Sequence, residues 1–340
     1  MLKRVSFLLA AVIFATFALT TFLSAPAVAE PIKLNYANFP PAPTFPCVQM
    51  ERWKEEVEKR TNGKVAIKTF PGGTLLDAKA MMDGVIGGQA DIGCLCMAYQ
   101  PGRFIVTNAT SLPLDLPNAK VASLTLWDLY NQYKPDEFSQ VKVLTMFATA
   151  PSNLMTKKPV RTLADIKGMD IRASGGAGEI LKAWGANMVG MPMSATPEAL
   201  QKGVVQGLFS SLEVMKDFKY AELCRFVTMT DTVIYPFAVV MNMDSWNRLP
   251  DDVKKVMDDL GGEQALWTGE YMDAHVKESM DWSKETYNVE VIQLSDGEKA
   301  EWNKLLEPMI DKWVADATAK GLPGEKIIQD IKMISKKHAE

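Results

Sequence analysis

Short apolar segments alternate along the chain with segments whose apolar residues recur at helical spacing. Ile32, Leu34 and Tyr36 alternate with polar residues, as in a strand with one buried face. Trp53 and Val57 lie about one helical turn apart, as on the buried side of a helix. The alternation of such strands and helices continues toward the C-terminus and predicts an α/β fold.

Three further segments predict individual strands or helices. The segment from Tyr235 to Asn242 is almost wholly apolar, as in a buried strand. A helix is predicted from Asp251 to about Tyr287, with Asp251 as its cap and Gly261-Gly262 as a kink or break. Another helix is predicted from Leu75 to Gly84.

The N-terminus has the three parts of a secretory signal peptide. Lys3 and Arg4 precede an apolar run from Val5 to Leu23, and a small-residue cleavage site ends at Ala29. We therefore expect export and cleavage before Glu30. The alternative is a membrane anchor, because the apolar run is just long enough to cross a bilayer.

Composition and charge narrow the function classes. The 340 residues are 47% hydrophobic, which is enough for two buried cores. The formal net charge is −4, and loss of the two basic residues of the leader makes it −6, which argues against a nucleic-acid partner. The only histidines are His275 and His338, so His-based metal sites and catalytic triads are disfavoured.

The four cysteines leave two interpretations open. In an oxidising compartment Cys47 could bridge to Cys94 or Cys96, which are too close in sequence to pair with each other. Alternatively these residues and Cys224 are small buried hydrophobes. A zinc site is disfavoured, because the cysteine spacing is unusual for zinc and no histidine is near.

A predicted strand ends near Arg172, and small residues and a helix start follow at Ser174-Gly175-Gly176. A guanidinium offers two parallel N–H donors that match a carboxylate, and ligands of α/β proteins bind outside the carboxyl ends of strands. The pattern predicts a carboxylate site at Arg172, helped by N–H groups of the following helix. The alternative is a surface salt bridge. The glycine spacing does not fit a nucleotide-binding motif.

Five segments carry a family resemblance. They are Ile166-Lys167-Gly168-Met169-Asp170-Ile171-Arg172, Trp184-Gly185-Ala186-Asn187, Met191-Pro192-Met193-Ser194, Ala199-Leu200-Gln201-Lys202-Gly203-Val204-Val205-Gln206-Gly207 and Val239-Val240-Met241-Asn242. In this order and spacing, behind a signal peptide, they resemble the solute-binding proteins of tripartite ATP-independent periplasmic (TRAP) transporters. The resemblance covers nearly the whole mature chain.

The resemblance implies a fold and one site residue. The fold is the α/β periplasmic-binding-protein fold, type II-like and of the TRAP variety, with two domains, crossing strands and a long domain-spanning helix. We expect residues 30–149 and about 238–277 in domain I, residues 150–237 and about 278–340 in domain II, and the ligand cleft between them. Arg172 is expected to hold the ligand carboxylate.

The sequence departs from the family pattern where the ligand is expected. Many members have a second Arg where Asn153 stands, Asn where Ser210 stands, and an aromatic or large apolar residue at Met193. One strong anchor among apolar residues predicts a monocarboxylate with an aromatic or bulky apolar body, a 2-oxo or 2-hydroxy acid. The alternatives are a C4 dicarboxylate and a sugar acid. The predicted substrate-binding residues are Arg172, Asn153, Ser210, Ser211, Ser174, Met193, Phe209, Phe39, Phe45 and Met97.

The resemblance implies transport rather than catalysis. It implies a periplasmic protein, not embedded in the membrane after cleavage, that delivers an organic acid to the small and large membrane subunits of a TRAP transporter. No catalytic residue, metal or cofactor is predicted: Ser210-Ser211 lacks a nucleophile motif, and Asp251-Asp252 lies in a solvated helix. An ABC-type binding protein is the runner-up, and the long helix favours the TRAP class.

Overall fold

The computed structural model describes residues 30–100 and 102–340, so the predicted signal peptide at residues 1–29 lies outside the described residues. Residues Lys33–Glu340 form one compact unit. The strands of the described residues are β1 Ile32–Asn38, β2 Val65–Phe70, β3 Ile92–Cys96, β4 Val141–Ala148, β5 Asn153–Thr156, β6 Asp170–Ala173, β7 Asn187–Gly190, β8 Gly207–Ser210, β9 Phe226–Met229, β10 Pro236–Asn242 and β11 Glu290–Gln293.

The strands form two sheets. The order of the first sheet is β2-β1-β3-β10-β4, and the order of the second is β11-β9-β5-β8-β6-β7. In the first sheet β1 and β3 are parallel, while β10 runs antiparallel to β3 and to β4. In the second sheet β6 is parallel to both β7 and β8. The predicted α/β fold is confirmed, and the predicted apolar strand before Asn242 is β10.

Helices occupy most of the connections between strands. Among residues 30–100 and 102–340, no helix is both long and apolar enough to cross a membrane. The helices are α1 Phe45–Arg60, α2 Met81–Ile86, α3 Ile105–Asn108, α4 Ala119–Tyr133, α5 Leu163–Ile166, α6 Ala177–Ala183, α7 Thr196–Gln201, α8 Val214–Asp217, α9 Met243–Asn247, α10 Asp251–Tyr287, α11 Asp296–Lys304, α12 Pro308–Ala319 and α13 Gly324–Ala339.

Two segments cross between the sheets side by side. Residues 149–152 lead from β4 to β5, and residues 230–235 lead from β9 to β10. The backbone N–H of Thr149 donates to the carbonyl oxygen of Tyr235 at 3.0 Å, and the N–H of Ser152 donates to that of Val233 at 2.7 Å. The Thr149 hydroxyl in turn accepts the N–H of Tyr235 at 2.9 Å. This hydrogen-bonded pair of connections corresponds to the predicted crossing strands.

The prediction at Gly261-Gly262 was a kink or a break, and the long helix α10 is continuous, so a break at this position is wrong. A Cβ at Gly261 would lie 2.8 Å from the carbonyl oxygen of Leu144 in β4 and 2.7 Å from the ring of Trp127 in α4. Both distances are shorter than any normal contact of a methyl group. The glycine therefore permits close packing of the helix and does not end it.

The first residue of α10 also differs from the prediction. Pro250 has extended backbone angles and occupies the N-cap position, while Asp251 is already the first helical residue. Asp251 is therefore not the cap. Its carboxylate stays in the first turn with that of Asp252, where negative charge interacts favourably with the helix dipole.

The helix predicted to begin at Leu75 begins only at Met81. The reason is a turn at Asp77, whose Oδ1 accepts the backbone N–H groups of Lys79 at 2.8 Å and Ala80 at 3.0 Å. Such a side chain offers the backbone a local alternative to helical hydrogen bonds. The apolar spacing alone did not reveal this competition.

The cysteines are buried free thiols within the part of the chain that the structure describes. Burial raises the pKa of Cys47 and of Cys96 to about 12, so both stay protonated and unreactive at neutral pH. The Cys47 thiol donates a hydrogen bond to the carbonyl oxygen of Pro40 at 3.2 Å. These features favour the interpretation of the cysteines as small buried hydrophobic residues over a disulfide bridge.

Candidate functional site

A cavity lies between the two sheets, next to the crossing segments. The space between its lining residues is about 480 Å³, and part of this space is open to solvent. Phe39 and Cys96 line it from the ends of β1 and β3, Arg172 and Ser210 line it from β6 and β8, and Tyr235 lines it from a crossing segment. These are the carboxyl ends of strands from both sheets, where α/β proteins place their ligands.

The guanidinium of Arg172 is the positively charged part of this cavity. Its side chain is 1% exposed although it lines the cavity. Nε and Nη2 donate to the carbonyl oxygen of Met191 at 3.0 and 2.8 Å, and Nη2 donates to Oγ of Ser174 at 3.0 Å. Both partners are neutral, so these bonds orient the guanidinium without offsetting its charge. The arrangement is prepared for an anion.

Aromatic rings form the wall that the first sheet contributes. Phe237, at the start of β10, stacks on Phe39 with ring centres 6.3 Å apart and meets Phe45 edge-on at 5.5 Å. Tyr99 contacts Phe39 edge-on, also at 5.5 Å. All four side chains line the cavity. Aromatic pairs in such geometries hold one another in place and give the cavity a rigid apolar surface.

Two acidic residues line the cavity from the second sheet. Glu213 precedes the short helix α8 and Asp217 is its last residue, about one turn away, and the side chains of both are nearly fully buried. Oε1 of Glu213 accepts the hydroxyl of Ser211 at 2.9 Å, and Oδ1 of Asp217 lies 2.7 Å from Nε2 of His275. Nδ1 of His275 lies 3.4 Å from Oε2 of Glu278.

The environment shifts the pKa values of several of these groups. Burial raises the pKa of Glu213 to about 8, and the nearby Asp217 acts in the same direction. The hydrogen bond to Asp217 raises the pKa of His275. Burial raises the pKa of Tyr99 and raises that of Tyr235 to about 12, so both phenols stay neutral at physiological pH.

Five of the predicted site residues line the cavity together: Phe39, Phe45, Arg172, Met193 and Ser210. Ser174 supports Arg172 through its hydroxyl and lines an adjoining cavity together with Gly175 and Gly176. The roles of all these residues in ligand binding stay predictions. Within residues 30–100 and 102–340, no group of three or more His, Cys, Asp or Glu side chains is placed to hold a metal ion.

The other four predicted residues have contacts elsewhere. Oδ1 of Asn153 accepts the backbone N–H groups of residues 230 and 231, at 2.7 and 2.9 Å. Ser211 donates to Glu213. The ring of Phe209 is fully buried against Trp184, and the sulfur of Met97 accepts the hydroxyl of Thr107 at 3.2 Å.

The family model for bacterial extracellular solute-binding protein, family 7 (DctP), matches residues 40–316. The chain belongs to this family. A TRAP periplasmic solute-binding protein from Desulfovibrio salexigens is 58% identical, with 90% of this chain and 96% of that chain covered and a TM-score of 0.82. It was solved as an open complex with the C-terminus of a symmetry mate in its ligand-binding site. The predicted TRAP resemblance is confirmed, and the ABC-type runner-up is set aside.

Two further relatives of this solute-binding protein bear on the ligand. A TRAP solute-binding protein from Rhodoferax ferrireducens, in complex with copurified benzoate, is 26% identical, with 91% of this chain and 98% of that chain covered and a TM-score of 0.86. The 2,3-diketo-L-gulonate-binding periplasmic protein YiaO of Escherichia coli is 25% identical over 250 residues, which are 72% of this chain and 76% of the relative. The family binds organic acids outside the cytoplasm.

Sequence reasoning missed several residues that line the cavity of this solute-binding protein. They are Tyr99, Thr149, Glu213, Asp217, Tyr235 and Phe237. One signal was available: Glu213 and Asp217 lie four residues apart in a segment that otherwise carries the apolar residues Val214 and Met215. Two acidic residues four positions apart would share one face of a helix, and acidic residues beside buried apolar ones indicate a polar site. The tyrosines carried no such signal.

Gly175 lies close to Ala98 on the other side of the adjoining cavity that both residues line, and this contact supports a prediction. A Cβ at Gly175 would lie 2.9 Å from the carbonyl oxygen of Ala98 on the opposite side. We expect Gly175→Ala to obstruct closure and to weaken ligand binding roughly 5-fold to 100-fold, the equivalent of ordinary overpacking. Calorimetric titration measures the affinity, and small-angle scattering measures the loss of compaction on saturation.

Two control variants separate this contact from other effects of the substitution. At Gly176 an added Cβ would have no neighbour within 4 Å in the described chain, so Gly176→Ala leaves closure free. Gly168 has a φ of +74° and is likewise open, so Gly168→Ala reports the backbone strain that also arises at Gly175, where φ is +57°. Unchanged affinity and compaction in Gly175→Ala would contradict the prediction.

Proposed function

We propose that this protein captures a monocarboxylate with an aromatic or bulky apolar body and delivers it to the small and large membrane subunits of a TRAP transporter. One observation carries the proposal: Arg172 is the only Lys or Arg among the described residues that line the cavity, and aromatic side chains face it there. A single cation anchors one carboxylate, and the aromatic wall accepts an apolar body.

The charges of the cavity disfavour a dicarboxylate. Asn153, which stands where many members have a second Arg, holds a backbone turn with its side chain. Asp217 brings negative charge to the lining, while Glu213 is mostly protonated at neutral pH because burial raises its pKa to about 8. A second carboxylate of a ligand would lie near this negative charge and would find no second cation among the described lining residues. Burying it unpaired would reduce the binding free energy by several kcal/mol.

The shape and chemistry of the walls support an aromatic body. Phe39, Phe45 and Phe237 form a continuous apolar surface on the side opposite Arg172. Stacked and edge-on contacts with such rings stabilise an aromatic ligand beyond its buried area. The related protein that copurified with benzoate has the same fold and holds a ligand of this class.

A sugar acid is the second candidate. Its hydroxyl groups would find hydroxyl partners at Thr44, Thr149 and Ser210, all of which line the cavity. The relative that binds 2,3-diketo-L-gulonate supports this alternative. The apolar surface of the three phenylalanines opposes it, because sugar hydroxyls buried against such rings lose their water partners without replacement.

Ligand capture couples the two walls of the cleft. A carboxylate on Arg172 contacts the second sheet, while the body of the same ligand contacts the aromatic wall of the first sheet. Because such a ligand interacts fully with both walls only when they are close, it shifts the population toward the closed form. The membrane subunits would then recognise this form.

The proposal is tested by titrating ligand-free protein in a calorimeter. We expect phenylpyruvate, 3-phenylpropanoate or mandelate to bind at least about 100-fold more tightly than succinate, because an unpaired buried carboxylate costs a few kcal/mol. Gluconate separates the sugar-acid candidate from the aromatic one. Tight binding of succinate, with no heat of binding from the aryl acids, would contradict the prediction of an aromatic ligand.

A further inference from the structure

Two residues that line the cavity each have a carboxyl oxygen for which the described fold supplies no hydrogen-bond partner. Oε2 of Glu213 and Oδ2 of Asp217 are buried and have no hydrogen-bond partner among the described residues. Both residues line the cavity that Arg172 also lines. Buried acceptors without donors are costly, so a protein retains them where something else supplies the donor.

The rest of each carboxylate is held firmly. Oε1 of Glu213 accepts the hydroxyl of Ser211, and Oδ1 of Asp217 pairs with His275. The ring of His275 is itself held, since it stacks on Tyr271 with ring centres 5.5 Å apart. One oxygen of each carboxylate is therefore fixed by the protein, while the other has no such partner in the described lining.

The two acidic residues and the arginine together give the cavity an uneven charge. Arg172 supplies positive charge and Asp217 supplies a carboxylate, while Glu213 supplies a carboxyl group that keeps its proton near neutral pH in the ligand-free protein. A ligand donor that reaches either of these oxygens would supply the hydrogen bond that it lacks. Burial and the proximity of Asp217 raise the pKa of Glu213, although the Ser211 hydroxyl donates to Oε1, so a ligand cation beside the carboxyl would favour loss of its proton.

We propose that Glu213 and Asp217 form an acceptor subsite that selects, among carboxylate ligands, those that carry an ammonium or hydroxyl donor. The inference rests on the proposed function, since it assumes that Arg172 holds the ligand carboxylate. It adds the donor group as a second requirement of the ligand. Because a buried acceptor left without a donor is costly, a ligand that supplies the donor should bind about ten-fold or more tightly than one that does not.

Ligands with matched bodies test the subsite on the wild-type protein. Phenylalanine and phenyllactate differ from 3-phenylpropanoate only by an ammonium or a hydroxyl group, and 3-hydroxybenzoate differs from benzoate only by a ring hydroxyl. We expect at least one donor-bearing acid to bind about ten-fold or more tightly than its match. Preference for phenylalanine identifies an ammonium subsite, and preference for a hydroxy acid identifies a hydroxyl subsite.

Variants then assign the preference to its residues. Glu213→Gln and Asp217→Asn should each reduce the ratio of affinities between the donor-bearing acid and its match to about three-fold or less. Glu278→Gln is the control, because Glu278 contacts His275 and Lys216 without lining the cavity, and it should leave the ratio unchanged.

Two outcomes overturn the proposal and are distinct from each other. If the donor-free acids bind well and no donor-bearing acid exceeds its match, the subsite is refuted while the proposed function stands. If no acid of either kind binds, the proposed function fails and the subsite fails with it. The wild-type series alone decides both points, so it remains decisive even if a variant does not fold.

Discussion

Arg172→Ala is expected to abolish measurable binding of every acidic ligand. The variant removes the charge that would hold the carboxylate in a cavity where Arg172 is the only Lys or Arg of the described lining. Truncating one partner of a buried, hydrogen-bonded charge pair costs about 2–5 kcal/mol. This corresponds to a roughly 30-fold to several-thousand-fold increase in Kd. Calorimetric titration with the best aryl acid measures the loss.

The structure also supplies the variants that make this result specific. Arg172→Lys keeps the positive charge but loses the planar fork that bonds to Met191 and Ser174, so it should recover only part of the affinity. Arg161→Ala is the surface control, because Arg161 pairs with Glu290 on an exposed face. Urea unfolding of each variant shows that it is folded. Near-normal affinity in folded Arg172→Ala would place the anion site elsewhere.

Much of the element order followed from local sequence patterns. The strand around Tyr36, the helix around Trp53 and the apolar strand that ends at Asn242 were all predicted within a few residues of their observed ends. Their apolar periodicity comes from burial on one face or on both, which a local window of sequence records. Where a helix begins depends on competing hydrogen bonds, such as those that Asp77 accepts before α2. The apolar pattern of the sequence does not record these bonds.

Two glycines show where prediction from the local sequence fails. Gly261 was expected to break α10, yet it marks the point where the helix packs against Leu144 and Trp127. Gly175 was noted only as a small residue after a strand, yet it is where the walls of the cleft approach each other. In both cases a side chain is excluded because an atom from a distant part of the sequence packs against the glycine. A single sequence does not reveal which distant atom that is.

The candidate site was predictable only in part, for the same reason. Arg172 could be identified because a strand-end arginine followed by small residues is a local pattern with a chemical meaning. Tyr235 and Phe237 belong to a crossing segment and to a buried strand, and their apolar context indicated only a core. Their place in the cavity depends on how β10 lies between β3 and β4, which is a property of the assembled sheet.

Glu213→Gln is expected to remove a strong pH dependence from the stability of the ligand-free protein. The ordinary pKa of this side chain is about 4.5, and burial raises it to about 8. Between these values the folded protein binds a proton that the unfolded chain has lost, so the free energy of unfolding falls as pH rises. The slope from this group is at most about 1.4 kcal/mol per pH unit. Below pH 4.5 and above pH 8 the contribution is constant.

Urea unfolding at pH 5, 6.5 and 8 measures this effect as the difference between Glu213→Gln and the wild type. The difference should grow in favour of the variant by a few kcal/mol from pH 5 to pH 8. Glu278→Gln is the control: Lys216 and His275 lower the pKa of Glu278, so its carboxylate is ionised in the folded and the unfolded chain throughout this range, and the difference should hardly change with pH. A difference for Glu213→Gln that does not change with pH would mean that Glu213 is ionised in the folded cavity. Its unpartnered oxygen would then already have a donor, in water or in a bound ligand.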